Sequence, residues 1–203
     1  MSDPTLNNGP FMVCGPDHPG RVAAEAFTAG HYQRHFGASL TSFFPQLLTI
    51  NARRGGLRAC LGYRDAATGP LFLEQYLQRP VEQIVSERLG MSLPRKAIVE
   101  VGGLAAAWPG AGRRLILGSA GWLHRAGFEV VVFTATRCLA NSFQRLNLSP
   151  VELAPADPAC LREGPDVWGD YYAHAPRVYG GVIASAVPGR ASSGRPRALG
   201  AWR

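Results

Sequence analysis

The sequence predicts a single α/β domain, and three observations support this fold class. The chain has 203 residues, of which 46% are hydrophobic and 17% charged, an ordinary balance for a domain with a buried core. Apolar runs at 47–51 and 57–63 flank a short stretch with two consecutive glycines, which predicts an antiparallel pair of strands. Strand-like runs at 97–106 and 128–134 flank a helical pattern at 111–126, which predicts a right-handed strand–helix–strand crossover. Both kinds of strand pairing are therefore expected in one sheet.

The elements before this crossover are less regular. A helix is predicted over 22–36, where apolar residues recur on one face: Val22, Ala26, Ala29, Tyr32 and Phe36. Residues 71–77 fit either a strand or a helix. Pro80 suits the first turn of a further helix, which Gly90 ends after Leu89.

The central strand, 97–106, begins with β-branched residues and loses its side chains at Gly102 and Gly103. Two successive glycines in a strand indicate a bulge or the close approach of another group. The helix at 111–126 has one apolar stripe, which consists of Leu115, Ser119, Trp122, Leu123 and Ala126. A last helix is predicted at 137–146, and the proline- and aromatic-rich chain beyond it has no assigned element.

The net charge of +7 does not indicate a nucleic-acid partner. Part of this charge comes from four arginines near the C-terminus, in a stretch without acidic residues: Arg190, Arg195, Arg197 and Arg203. The rest of the chain has a modest positive excess and neither a helix-turn-helix signature nor a zinc-finger spacing. We therefore expect an N-terminal segment at 1–20, one domain at 21–187 and a flexible basic tail at 188–203.

Neither a secretory signal nor a membrane span is predicted. The first ten residues are polar and lack a basic region followed by an apolar one. No run approaches the roughly 20 apolar residues of a transmembrane helix. The four cysteines form no C-x-x-C pair, so reduced thiols are expected rather than disulfides or a zinc knuckle. Together these features predict a cytoplasmic protein.

Four sequence blocks carry a resemblance to a known family. In chain order they are 71–77 (LFLEQYL), 98–106 (IVEVGGLAA), 133–148 (FTATRCLANSFQRLNL) and 168–181 (WGDYYAHAPRVYGG), and together they resemble the thermostable hemolysin family over about residues 20–183. This family looks like a distant relative of the GNAT-type acyltransferases and of the acyl-homoserine lactone synthases, whose Glu-Val-Ser-Arg motif is similar to residues 100–103. The chain departs from the family at Gly103, where Asn is expected more often, so a side-chain amide there cannot be essential.

The resemblance implies a GNAT-like three-layer α/β/α fold with a mixed, mostly antiparallel central sheet. It also implies an acyl-thioester donor, either coenzyme A or the phosphopantetheine of an acyl carrier protein. In such folds the pantetheine arm pairs with a splayed central strand, and the phosphates rest on amides at the start of the next helix. The donor-binding candidates are Val101, Gly102, Gly103 and Leu104 on the strand, Gly110, Ala111, Gly112, Arg113 and Arg114 at the helix start, and Phe133, Thr134 and Phe143 beyond it. Without the resemblance, phosphate binding at 110–114 has a nearly equal alternative, in which the glycines only form a turn and the two arginines only form a solvated surface.

Glu100 is the candidate general base. A carboxylate within an apolar strand is costly to bury unless it is paired or protonated, and burial raises its pKa towards the range useful for accepting a proton from an amine. An outward-facing or salt-bridged Glu100 is the alternative. Asn141 is a second catalytic candidate through hydrogen bonds to the thioester region, although a capping or surface role fits it nearly as well. Phe143 lies where many GNAT acetyltransferases place a Tyr that protonates the leaving thiolate, and Phe has no proton to give.

The candidates for the acceptor side are mostly aromatic: Glu74, Tyr76, Trp168, Tyr171 and Tyr172. Glu74 and Tyr76 alternate in their segment, which fits an acceptor pocket or an edge strand. The aromatic residues at 168–172 fit the wall of an acyl tunnel, an acceptor site, or simple packing over the sheet. His31 and His35 have i, i+4 spacing but lack a third ligand nearby, so no metal is predicted.

The sequence therefore predicts an N-acyltransferase that moves an acyl group from acyl-CoA or acyl carrier protein to a small amine, an amino acid being one option. The rival hypothesis is a membrane-active hemolysin or lipid-binding protein without this activity. Its best helix, 111–126, contains Gly118 and Gly121 and has too little charge segregation for a membrane-surface helix. A third hypothesis is an acyl-binding module without catalysis. The absence of a G-x-S-x-G motif leaves hydrolase chemistry without support.

Overall fold

Seven strands form one sheet in the computed structural model, which describes residues 11–52 and 55–187. In chain order they are β1 (Phe11–Cys14), β2 (Gln46–Asn51), β3 (Leu57–Asp65), β4 (Ile98–Ala106), β5 (Val130–Ala135), β6 (Val151–Pro155) and β7 (Arg177–Val182). They lie side by side in the order β1-β2-β3-β4-β5-β7-β6. β4 and β5 are parallel, and the other neighbouring pairs in these ranges are antiparallel. The prediction of a mixed, mostly antiparallel sheet is confirmed.

Helices cover both faces of the sheet. The α-helices of the described ranges are α1 (Arg21–Phe36), α2 (Val81–Leu89), α3 (Pro109–Arg125) and α4 (Arg137–Arg145), and three of the short 3₁₀ segments are Phe72–Tyr76, Asp166–His174 and Ile183–Ala186. α1 and α2 lie on one face, called the front, and α3 and α4 on the other, called the back. The predicted β2–β3 hairpin, β4–α3–β5 crossover and three-layer arrangement are present. None of these helices is long and apolar enough to cross a bilayer. The predicted tail at 188–203 lies outside the described residues.

The side chains of β4 alternate between the front and the back of the sheet. Ile98 is fully buried among residues of the front layer, and Val99 is fully buried among residues of the back layer. Successive side chains of a strand point to opposite faces. Glu100 therefore lies on the front and Val101 on the back, where Val101 packs with residues of α3 and α4.

β4 and β5 separate after a short parallel stretch. Their pairing ends at Val101 and Phe133, beyond which the described part of β4 pairs with β3 and that of β5 with β7. At the same point β4 carries the predicted bulge, where Gly103 has a φ of +60° and the register against β3 shifts. A bulge bends its strand and increases the local twist. The result is a V-shaped gap between two strands that are parallel neighbours elsewhere.

Gly102 meets a different requirement, which is room for an aromatic ring. A Cβ atom built on Gly102 would lie 2.7 Å from Cζ of Phe44, and one built on Gly62 would lie 2.6 Å from atoms of the same ring. Carbon atoms pack at about 3.5–4.0 Å, so any side chain at either position would collide with this ring. The close approach predicted at Gly102 is therefore made by Phe44 of the same chain.

Two predicted helix faces need correction. α1 buries Ala24, Thr28 and Tyr32, whereas the predicted Val22 is 76% exposed. Alanines recur at several positions of α1, so more than one stripe is apolar and the periodicity alone does not select the buried one. In the second case, Ala126 follows the end of α3 and is exposed, whereas the rest of the predicted stripe is buried.

Candidate active site

The carboxyl group of Glu100 is buried on the front of the sheet, with 2% of the residue exposed. Its Oε2 accepts a hydrogen bond from the backbone N–H of Phe72, and its Oε1 accepts one from Leu73, both at 2.9 Å. Burial raises the pKa of Glu100 to about 7, although these two hydrogen bonds act in the opposite direction. The group is therefore close to half-ionised near neutral pH and is able to accept a proton.

A small cavity of about 40 Å³, called the front cavity, adjoins Glu100. Its wall is largely aromatic and contains Tyr32, Phe44, Phe72, Tyr76, Trp168, Tyr171 and Tyr172. The hydroxyl groups of Tyr76 and Tyr172 lie 2.5 Å apart, and burial raises the pKa of both residues. Four of the five acceptor candidates are thus brought together beside Glu100. Sequence reasoning missed Tyr32, Phe44 and Phe72, because they come from three separate segments.

Glu74, the fifth acceptor candidate, lines neither cavity that opens at the gap. Its carboxylate forms an ion pair with Arg95 at 2.7 Å and accepts the backbone N–H groups of Leu71 and Val81. Burial alone would raise the pKa of Glu74, but these hydrogen bonds outweigh it and lower the pKa to about 2. Arg95 also pairs with Glu82, so Glu74 belongs to a network that fixes the segment before α2.

A cavity of about 700 Å³, called the main cavity, occupies the V-shaped gap and crosses the sheet. Nine of the twelve donor-binding candidates line it, namely Val101, Gly102, Gly103, Leu104, Gly112, Arg113, Phe133, Thr134 and Phe143. Tyr32 and Tyr171 line both this cavity and the front cavity, so the two spaces adjoin. The gap is therefore a passage between Glu100 on the front and a larger space on the back.

The start of α3 reaches the main cavity in part. Gly112 and Arg113 line it, whereas the other candidates of this segment do not: Gly110, Ala111 and Arg114. The backbone N–H groups of Ala111 and Gly112 donate to the carbonyl of Trp108 at 3.0 and 3.4 Å. An anion at this end would therefore depend more on the guanidinium of Arg113 than on free amides.

One face of α4 lines the main cavity, and Asn141 is on another. Asn141 is exposed and lies outside the cavity wall, whereas the ring of Phe143 is buried 4.9 Å from that of Phe133. Sequence reasoning missed further α4 residues in this wall, which are Cys138, Leu139, Ser142 and Arg145. The i, i+3, i+4 spacing from Leu139 to Ser142 and Phe143 is the signal that would have found that face.

Three histidines stand at the front end of the main cavity: His31, His35 and His174. The rings of His31 and His35 are 4.2 Å apart. Burial, together with the charges of His35 and Arg34, lowers the pKa of His31 to about 4, so this imidazole is neutral at physiological pH. Within residues 11–52 and 55–187, no group of three or more His, Cys, Asp or Glu is arranged to hold a metal ion.

Comparison with known sequences gives one family. A sequence model of the family described as thermostable hemolysin matches residues 14–187 of this chain. No curated protein sequence has a significant match to this chain.

Several solved structures share the fold. LasI, an acyl-homoserine lactone synthase, superposes with a TM-score of 0.58 at 12% identity, over 92% of this chain and 98% of its own. FeeM, an N-acyl amino acid synthase from uncultured soil microbes, gives 0.57 at 13% identity, over 87% and 96%. BjaI, a CoA-dependent acyl-homoserine lactone synthase solved with SAM and isopentyl-CoA, gives 0.56 at 13% identity, over 85% and 82%. Identities this low show the fold alone, which is GNAT-like.

Proposed function

Because the chain belongs to the thermostable hemolysin family and has the fold of acyltransferases, we propose that it transfers an acyl group from an acyl thioester to an amine. The observation that carries this proposal is the V-shaped gap between β4 and β5. The buried carboxyl group of Glu100 lies on its front side, and most of the main cavity lies on its back side. A base and an acyl site on opposite sides of one opening suit an amide-forming reaction.

The donor in this proposal is a thioester of coenzyme A or of an acyl carrier protein. Its pantetheine arm lies along β4 at 101–104, where the edge facing β5 is free beyond Val101. Arg113 attracts the phosphate end, and Arg114 adds positive charge beside it. BjaI is CoA-dependent, which supports coenzyme A as the first donor to test.

In the reaction, the lone pair of a neutral amine attacks the thioester carbonyl carbon, which backbone amides at 101–104 polarise. Glu100 accepts a proton from the amine nitrogen, a task that suits a carboxyl group with a pKa of about 7. The carbon–sulfur bond then breaks, and the thiolate takes a proton from solvent, because a free thiol has a pKa of about 8.5. Glu100 releases the amine proton to solvent, which restores the base and balances the reaction. Phe143 donates no proton, and this scheme requires none from α4.

The amino group of the acceptor enters the front cavity beside Glu100, whose volume of about 40 Å³ admits little more than that group, and the rest of the acceptor extends into the adjoining main cavity. The hydroxyls of Tyr76 and Tyr172 keep their protons because burial raises their pKa, and they hydrogen-bond the amine or a polar group next to it. Trp168 and Tyr171 pack against the apolar part of the acceptor. FeeM is an N-acyl amino acid synthase, which supports amino acids among the first acceptors to test.

Glu74 and Asn141 have no part in this scheme. The carboxylate of Glu74 is held by Arg95 and two backbone amides. Asn141 is exposed outside the cavity wall, so it reaches a thioester in the gap only if α4 turns.

The proposal is tested by thiol release from a panel of acyl-CoA esters in the presence of amines and amino acids. We expect turnover by the wild type, and a decrease in kcat of about 10²–10⁴-fold in Glu100→Gln, the usual range for loss of a general base. Glu163→Gln is the matched control, because Glu163 is exposed and lines neither the main cavity nor the front cavity. An unchanged kcat in Glu100→Gln would exclude Glu100 as the base. No thiol release with any ester, together with leakage from liposomes, would favour the membrane-active alternative.

A further inference from the structure

We propose that the donor carries an acyl chain of about eight to ten carbons, whose tail lies on the back of the sheet against the second half of α3. This inference rests on the proposed function and names the class of donor. The space concerned is the part of the main cavity called the tail chamber, and it is lined by Ile116, Ala120, Leu123, Val131, Ile183 and Ala186. These residues come from α3, β5 and the 3₁₀ segment that ends the described chain.

The tail chamber is suited to a hydrocarbon chain because the polar side chains in its wall already have hydrogen-bond partners. Two serines accompany the apolar side chains there, and each hydroxyl donates to a backbone carbonyl of its own segment: Ser119 to Ile116 at 2.9 Å and Ser185 to Val182 at 2.7 Å. Arg113 and Arg145 are the arginines of the main cavity wall in the described ranges. Arg113 lies on the first turns of α3, at the other end of that helix from the chamber, and Arg145 lies on α4, which contributes no residue to the chamber wall. Along α3, the wall of the main cavity is thus charged at Arg113 and apolar from Ile116 to Leu123, apart from the bonded hydroxyl of Ser119.

Helix geometry gives the length of this space. The residues of α3 that line the main cavity follow the i, i+3, i+4 spacing of one face, from Pro109 to Leu123. At 1.5 Å per residue, the stretch from Ile116 to Leu123 spans about 10 Å. A carbon–carbon bond of about 1.5 Å at an angle near 111° advances an extended chain by about 1.25 Å per methylene. The tail chamber therefore takes about eight methylene groups beyond the carbonyl.

Small side chains keep the chamber open, and they provide the means to close it. Ala120 stands one helical turn before Leu123, in the wall of the chamber. A Leu at this position fills the last turn of the space, which corresponds to about three or four methylene groups at the same spacings. Its neighbour Gly121 is outside the cavity wall, and a Cβ there would meet only a terminal nitrogen of Arg125 at 3.6 Å. Gly121→Leu therefore adds a Leu to the same helix without entering the chamber.

The experiment is calorimetric titration of the whole protein with S-acyl pantetheines, the part that coenzyme A and acyl carrier protein share, from acetyl to dodecanoyl. We expect the affinity to rise by up to about fourfold per methylene and to level off at octanoyl to decanoyl in the wild type, and about three or four carbons earlier in Ala120→Leu. Gly121→Leu should keep the wild-type profile. Ala186→Leu, which narrows the chamber from the opposite wall, repeats the test if Ala120→Leu does not fold.

Two results would overturn the inference, and they differ in what else they exclude. Equal affinity for acetyl and decanoyl pantetheine would mean that no tail chamber is used, while the proposed acyl transfer would stand. Failure of every acyl pantetheine and every acyl-CoA to bind would remove the proposed function as well. A length profile that is the same in wild type, Ala120→Leu and Ala186→Leu would move the tail to another part of the main cavity and contradict the assignment to α3.

Discussion

Replacing Glu100 with Gln should change how the stability of the protein depends on pH. Burial raises the pKa of Glu100 in the folded protein to about 7, whereas the usual value for an unfolded chain is 4.5. Between these values the unfolded chain loses its proton and the folded protein keeps it. Ionisation of Glu100 therefore lowers the free energy of unfolding as the pH rises from 4.5 to about 7. Above that range the loss in the free energy of unfolding stays constant. The Gln variant has no such ionisation.

The size of the effect follows from the two pKa values. Each unit of difference corresponds to about 1.4 kcal/mol, so wild-type stability relative to Glu100→Gln should fall by about 2 to 3 kcal/mol between pH 5 and pH 8. The variant also loses a contact at every pH. The two oxygens of Glu100 accept the N–H groups of Phe72 and Leu73, and a Gln amide nitrogen cannot accept the second of them. This loss costs about 1–3 kcal/mol independently of pH. The wild type should thus be the more stable protein at pH 5, and a fall of this size cancels or reverses that advantage by pH 8.

Urea unfolding of both proteins at pH 5, 6, 7 and 8, at one ionic strength, measures the difference in the free energy of unfolding. Other groups titrate in the same way in both proteins, so the comparison isolates Glu100. Glu163→Gln serves again as the control and should run parallel to the wild type. A wild-type minus Glu100→Gln difference that stays constant to within about 0.5 kcal/mol across this range would refute a raised pKa at Glu100, and with it the argument that burial prepares this group as a base.

Three further predictions concern the framework, and urea unfolding tests each of them. Gly102→Ala should lose about 1–3 kcal/mol, because its Cβ would lie 2.7 Å from the ring of Phe44, and Phe44→Leu should reduce that loss; an undiminished loss would contradict the clash. Gly103→Ala should lower the free energy of unfolding by about 1–2 kcal/mol, because Gly103 has a φ of +60° that Ala adopts only with strain. Phe44→Leu should not reduce this loss, since a Cβ at Gly103 has room, and a reduced loss in the double variant would contradict backbone strain as the cause. Arg95→Ala should cost about 1–3 kcal/mol at pH 7 and less as the pH falls from about 4.5 to 2, where Glu74 loses its charge; a cost independent of pH would exclude the ion pair as its source.

The parts of the fold that could be predicted from the sequence are those with strong local patterns. The hairpin of β2 and β3 is marked by its glycine turn, and Gly55 and Gly56 both have positive φ. The β4–α3–β5 crossover is marked by two apolar strands around one amphipathic helix. Glu100 could be singled out because a charge within an apolar strand is unusual in any fold.

The parts that could not be predicted depend on contacts between distant segments. β1, β6 and β7 are short or contain glycine, and they are strands because a neighbour pairs with them rather than because of their own pattern. The amides that hold Glu100 belong to Phe72 and Leu73, on a 3₁₀ segment that the sequence left as strand or helix. Phe44 has no feature in the sequence that connects it with Gly102. Such contacts are selected by the packing of the whole chain.

The two glycines of β4 act in different ways, and this bears on how the gap arises. Gly102 leaves space for Phe44 on the front, whereas Gly103 supplies a left-handed backbone conformation at the bulge. Asn is, after Gly, among the residues that most readily adopt this conformation. The Asn that the family resemblance leads us to expect at 103 is therefore compatible with the same bulge, and its amide is not required for the shape of the strand. Position 103 therefore requires a residue that accepts a positive φ. The gap arises because β4 bends at this bulge and stops pairing with β5 after Val101, and not because the glycines lack side chains.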